Sequence, residues 1–156
     1  MLVRGAVIGG AGIVGVGVDA VDISRLRRMV GRRAGLAGRL FTEGEQSYAA
    51  RAADGAPRLA TRFAAKEATM KALGVGLGAF AFCQVEVVRI GLDAPTLVLH
   101  GAAAELAERA GVLRWHLSLT HTDQLAMAFV VAEGGPVHAA AGDPVVDVAA
   151  PPGISS

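Results

Sequence analysis

One cysteine, Cys83, stands in 156 residues. A lone cysteine cannot close an internal disulfide, so burial and hydrogen bonding must hold the fold, and a reducing compartment, the cytoplasm, is expected. Aromatic residues are scarce too, at 4%. The core is therefore expected from Leu, Val, Ile and Ala, and the stacking surfaces that grip single-stranded bases are lacking. A net charge of only +1 argues against a global pull toward nucleic acid or anionic lipid, so any charged partner must be met by a local patch. No stretch reaches the roughly 20 uninterrupted apolar residues of a membrane span. Lysine is the scarcest charged residue: of fifteen basic residues only Lys66 and Lys71 are lysines, six positions from end to end.

What is present suffices for one globular domain. Hydrophobic residues make up 53% of the chain, enough for a buried core at this length. We expect a glycine-rich leader over 1–11, a folded domain over 12–133, and a disordered tail over 134–156, which is rich in Gly, Pro and Ala and has no periodicity. The start of the chain has the apolar look of a signal peptide, but its glycines weaken the helix such a peptide needs, and secretion is not expected.

Residues 13–19 read as a strand whose even positions are Val14, Val16 and Val18, while the odd ones include Gly15, Gly17 and Asp19. A strand with one glycine face lets something approach closely on that side, and Asp19 stands at its end. Asp22 can cap a helix reaching about Val30. Thr42 and Glu45 form a capping box for a helix over 43–53. Pro57 suits the first turn of a long helix that ends near Leu73 and is stopped by Gly74. Strands over 84–90 and 96–100, a helix over 102–110, and strands over 115–120 and 125–132 complete the chain. The last strand is apolar on both faces and is expected at the sheet centre. The order β-α-α-α-β-β-α-β-β predicts an α+β fold with a mainly antiparallel sheet and one long helix.

Several residues could carry chemistry. Positions 63, 67 and 71 share one face of the long helix, so Glu67 and Lys71 project side by side, as in an ordinary surface ion pair. Two lysines in an arginine-using chain hint that a compact ammonium is needed in this segment. Asp19 and Glu67 are hard oxygen ligands on separate elements; two carboxylates completed by water and phosphate oxygens make a magnesium site, although spacing alone does not bring them together. His121 opens the last turn between Thr120 and Thr122, where it is either a phosphate ligand or a plain turn residue. Gly10 to Gly15 matches G-x-G-x-x-G but precedes a strand, and so fails as a dinucleotide fingerprint. Gly74, Gly76 and Gly78 end a helix and could admit a ligand to the backbone. Arg25, Arg27, Arg28, Arg32 and Arg33 crowd the first helix, a face fit for an acidic protein surface or merely for solvent.

Together, Gly15-Val-Gly-Val-Asp19-Ala-Val-Asp22-Ile-Ser-Arg25-Leu, Arg39-Leu-Phe-Thr-Glu-Gly-Glu45, Arg62-Phe-Ala-Ala-Lys66-Glu67-Ala-Thr-Met-Lys71-Ala-Leu-Gly74 and Leu117-Ser-Leu-Thr-His121-Thr resemble the holo-acyl-carrier-protein synthases, the short single-domain phosphopantetheinyl transferases. The resemblance runs from about Ile13 to Glu133. It implies the fold of that family and a cytoplasmic, Mg2+-dependent transferase of fatty-acid or polyketide biosynthesis. This enzyme would move 4'-phosphopantetheine from coenzyme A to a serine of apo acyl carrier protein and release 3',5'-ADP. Asp19 and Glu67 would be the metal ligands, and Lys71 would neutralise the pyrophosphate; these three form the catalytic set. Arg62, Lys71, Gly74, His121 and Thr122 would bind coenzyme A, partly across a subunit boundary of a homotrimer. Arg25 and Arg28 would dock the carrier protein. The serine proton would pass to a water held at the metal site or directly to Glu67. One departure stands out: relatives often carry extra basic residues before the long helix, whereas here only Arg51 and Arg58 flank Asp54-Gly-Ala-Pro57, which leaves the 3'-phosphate contacts open. Two rivals are weighed beside this reading, a metal-dependent nucleotide hydrolase on the same carboxylates and an RNA-binding module on the Arg25–Arg33 helix.

Overall fold

The computed structural model describes residues 12–135; the leader over 1–11 and nearly all of the tail expected over 134–156 lie outside the described residues. In chain order the elements are β1 (Gly12–Asp22), α1 (Ile23–Arg32), α2 (Leu36–Leu40), α3 (Glu43–Ala50), α4 (Ala56–Ala72), β2 (Val85–Val88), β3 (Thr96–Leu99), α5 (Gly101–Arg109), β4 (Val112–His121) and β5 (Leu125–Gly134). The expected α+β order holds with two additions, a short 3-10 turn over Phe82–Gln84 and the five-residue helix α2, which was not foreseen. It starts from Gly35 in the left-handed region and has no side-chain cap, so it carries none of the polar cap residues by which a helix start is read.

The cap signals that were foreseen are made. The Asp22 carboxylate accepts from Arg25 N–H at 2.7 Å and starts α1. The Thr42–Glu45 capping box is complete. Pro57 lies in the first turn of α4. Gly74, at φ 67°, closes α4: its N–H donates to Lys71 O, while Val75 N–H donates to Met70 O, the five-to-two and six-to-one bonds, in that order, of a Schellman motif.

All strand pairs are antiparallel. They form a three-stranded sheet in the order β1-β5-β4 and a separate β2-β3 pair, so β5 is central, as its two apolar faces require. The close approach permitted by the glycine face of β1 is made by α4. A Cβ on Gly15 would lie 1.8 Å from Ala72 O, and one on Gly17 equally close to Ala68 O. Ala64, Ala68 and Ala72 recur every four residues on the helix face that meets the sheet, and Ala126, Ala128, Val130 and Ala132 line it from β5. Small residues on both sides bring backbone to backbone, and this is where the scarcity of aromatics is resolved. A second cluster is less frugal. Phe41, Ile23, Leu26 and Leu40 are buried there, and Phe63 stacks on Phe82 at 5.1 Å between centroids.

Candidate active site

The glycine contact fixes where Asp19 comes to rest. Gly15 meets Ala72 and Gly17 meets Ala68, so β1 runs opposite to α4, and Asp19, two residues further along, arrives beside Glu67. Asp19, Glu67, Phe63, Arg25 and Met29 line one cavity of about 340 Å³. Lys71 bonds to Asp19 rather than to its helical neighbour Glu67: its Nζ lies 2.8 Å from Asp19 Oδ1 and donates to Val18 O at 2.9 Å. The sequence-level picture of a Glu67–Lys71 pair is thereby replaced by a three-residue cluster spanning two elements.

The Glu67 carboxyl is held above its usual range, first by burial, then by the negative charge of Asp19, with Lys71 pulling the other way. Two carboxylates placed together, one of them raised by burial and by the charge of the other, form a site that a divalent cation could occupy. Among the described residues no group of three or more His, Cys, Asp and Glu gathers to hold a metal. At this cavity Asp19 and Glu67 are a pair of hard oxygen ligands that could hold a cation.

The second lysine has a different task. Lys66 is wholly buried; its Nζ pairs with Glu45 at 2.8 Å and donates to Phe82 O and Val85 O. Glu45 in turn accepts from Val87 N–H and Thr42 N–H. The two lysines close together in sequence are thus one buried ammonium and one half-exposed beside Asp19.

Arg62 and His121 line another cavity, of about 310 Å³, with Tyr48, Arg58, Arg89 and Thr120. It shares no lining residue with the Asp19 cavity. Arg62 and Glu67 are five positions apart on α4 and so point about 140° apart around the helix. Thr122 shapes the β4–β5 turn: its hydroxyl oxygen accepts from Gln124 N–H and Leu125 N–H, and the His121 ring nitrogen Nδ1 lies 3.3 Å from Thr122 O. Gly74 faces open space. Tyr48 and Arg89 were not singled out in the sequence; they come from α3 and the end of β2, and no local pattern ties them to Arg62.

Arg25 belongs to two surfaces at once. It lines the Asp19 cavity and also a basic groove with Arg28, Met29, Arg32 and Arg33, because α1 buries Ile23 and Leu26 and turns its arginines outward. A larger cavity of about 510 Å³, lined by Leu26, Val30, Ala49, Ala56 and Leu59 with the Arg27–Asp54 ion pair, lies elsewhere. Its walls are mostly apolar apart from that ion pair and Gln46.

Residues 15–130 match the family described as the 4'-phosphopantetheinyl transferase superfamily. A holo-acyl-carrier-protein synthase of Clavibacter sepedonicus is 47% identical over 122 residues, which cover 78% of this chain and 97% of that protein. The crystal structure of the holo-acyl-carrier-protein synthase of Neisseria meningitidis superposes with a TM-score of 0.70 at 34% identity, covering 78% of this chain and 98% of that one. That of Bacillus anthracis strain Ames, in complex with coenzyme A (3',5'-ADP), gives 0.65 at 31% identity, covering 78% and 97%.

Proposed function

The chain belongs to the 4'-phosphopantetheinyl transferase superfamily, and from that premise we infer that it is a transferase that moves phosphopantetheine from coenzyme A to a serine of apo acyl carrier protein, releasing 3',5'-ADP. The observation that carries this reading is the meeting of Asp19 and Glu67 in one cavity, with Lys71 paired to Asp19. Asp19 and Glu67 would hold a magnesium ion, which would supply charge stabilisation for the phosphoryl oxygens. Lys71, on a half-exposed stem, sets a second cation against the coenzyme A pyrophosphate. The serine proton leaves toward the Asp19–Glu67 pair, through a water held there. Glu67, partly buried beside Asp19, is the alternative direct acceptor.

Arg25 and Arg28 dock the acidic surface of the carrier protein. Their groove is continuous with the Asp19 cavity through Arg25, so a partner seated on α1 reaches the reacting groups. Coenzyme A lies across Arg62, His121 and Thr122, with the Gly74 backbone beside it. The separation of the Asp19 and His121 cavities supports a site completed between subunits. So does the outer face of the three-stranded sheet: Val16, Val18, Met127 and Phe129 are 48%, 49%, 37% and 45% exposed, and Val18 stands opposite Phe129 in register. A contiguous apolar face of this kind marks an interface, and we assign it to a cytoplasmic homotrimer.

Apo acyl carrier protein, coenzyme A and magnesium are incubated with the protein, and the intact mass of the carrier is measured. A carrier heavier by one phosphopantetheine group is expected. An unchanged carrier with phosphate released from coenzyme A would instead establish a hydrolase. For the split site, Glu67→Ala and His121→Ala proteins, each inactive alone, are mixed and allowed to exchange subunits. Partial return of activity is expected, and verified exchange without return would place the whole site in one chain.

A further inference from the structure

Lys66 is fully buried, and the chemistry above does not use it. An ammonium has three N–H donors, and three acceptors surround this one: Glu45 Oε2 at 2.8 Å, Phe82 O at 3.0 Å and Val85 O. An apolar side chain of similar volume would fill the same space without the cost of stripping water from a charge. What the ammonium adds is direction. It ties one point of α4 to two carbonyls of the segment that leads into β2.

That segment contains the 3-10 turn Phe82–Gln84, which closes on itself. Ala81 N–H donates to Gln84 Oε1 at 3.1 Å, and Gln84 N–H donates to Ala81 O at 2.9 Å. Neither bond fixes how the turn sits against α4, whereas the Lys66 bond to Phe82 O does. The Phe82 ring then lies nearly parallel to that of Phe63, 7° between planes and 5.1 Å between centroids. Phe63 lines the Asp19 cavity together with Glu67, which follows it by one helical turn on the same face of α4. One line of contacts thus runs from the buried ammonium, through two rings, to the wall beside Glu67. Lys66 is not itself among the lining residues of that cavity, so it acts through this line and not by touching a ligand.

We propose that Lys66 is a positioning residue of the Asp19–Glu67 site, fixing the Phe82–Phe63 stack that forms the cavity wall beside Glu67. The proposal rests on the transferase reading above for the task of that cavity, and it names residues that reading does not use. A carboxylate beside a fixed wall keeps one direction, so the site is ordered before substrate arrives. Glu45 holds the ammonium in place, and its own bonds to Thr42 N–H and Val87 N–H anchor the line at its far end.

The test separates this role from plain stability. Lys66→Met combined with Glu45→Gln removes both buried charges, so neither is left unpaired and the urea midpoint should stay near that of the wild type. Phe82→Leu keeps the Lys66–Glu45 pair and removes only the stacked ring. Mn2+, titrated calorimetrically without substrate, is the probe of the carboxylates, and both proteins should bind it on the order of tenfold more weakly than the wild type. Their kcat for transfer to acyl carrier protein should fall by a similar factor. The KM for the carrier should move by less than about twofold, because the α1 arginines are untouched. A role in stability alone would shift the unfolding midpoint and leave Mn2+ affinity and kcat where they were. Wild-type Mn2+ affinity and kcat in the folded double variant, or in Phe82→Leu, overturn the proposal; if the double variant does not fold, Phe82→Leu decides. Should the wild type transfer nothing to the carrier, the transferase reading fails, and the Mn2+ titration still decides the positioning role.

Discussion

Two lysines on one helix each meet a carboxylate at 2.8 Å, and their surroundings give them opposite tasks. Lys66 and Glu45 are fully buried, and Glu45 also holds the N–H groups of Thr42 and Val87. That ion pair ties α4 to the cap of α3 and the start of β2, and it has no room to exchange partners. The side chain of Lys71 is 53% exposed and that of Asp19 17%, so their pair is open to solvent and can exchange partners. Equal distances therefore say little about role. Desolvation decides it, because a buried pair is locked by the penalty of separating its charges, whereas an exposed one contributes little to stability and stays exchangeable.

The largest expected effect breaks this comparison from its functional side. Asp19→Ala and Glu67→Ala should each abolish transfer, seen as no mass gain on the carrier, and chelation by EDTA should do the same to the wild type. Retained activity in Glu67→Ala would remove that residue from the site. Glu45→Ala attacks the structural side. It leaves the Lys66 ammonium buried and unpaired, and should lower the unfolding free energy in urea by about 3–5 kcal/mol; a loss below about 1 kcal/mol would show that the buried pair is not what holds α3 to α4.

Smaller effects sharpen the contrast. Gly17→Ala sets a methyl group against Ala68 O, 1.8 Å from its ideal place, and should cost about 1–3 kcal/mol or more through overpacking. Because it pushes β1 off α4 it should also impair catalysis, unlike a surface change of similar size. Arg25→Ala should raise the KM for carrier protein roughly tenfold while moving that for coenzyme A much less, and added salt should weaken carrier binding.

The smallest effect is on stability and has a definite sign. The Glu67 carboxyl is raised by burial and by Asp19, so its ionised form is less favourable in the folded chain than in the unfolded one. Glu67→Gln should therefore stabilise the fold at neutral pH, by a few tenths of a kcal/mol at most given solvent screening, while destroying transfer. The gain should vanish below about pH 4, where the wild-type carboxyl is protonated in both states. A Glu67→Gln protein less stable than wild type at pH 7 would contradict the charge repulsion.

Much of the fold was legible because its signals are local. Caps at Asp22 and Thr42, Pro57 at the start of α4 and Gly74 at its end fall where the backbone needs those residues. The alternation of Val14, Val16 and Val18 with Gly15 and Gly17 announced a close approach. It did not say that the approaching body would be the helix carrying Glu67. Helix α2 was invisible because it has no side-chain cap to announce it.

The sequence by itself determined the element types, the presence of a glycine face, the two candidate carboxylates and the family. Each of these depends on neighbours within one or two helical turns, or on motifs in register. Only the tertiary structure decided that Lys71 bonds to Asp19 instead of Glu67, that Lys66 is a buried strut, and that Arg89 lines one cavity with Arg58, Arg62 and Tyr48. These outcomes depend on desolvation and on contacts between residues up to 52 positions apart. A charge pattern along the chain carries no record of which charges will lose their water.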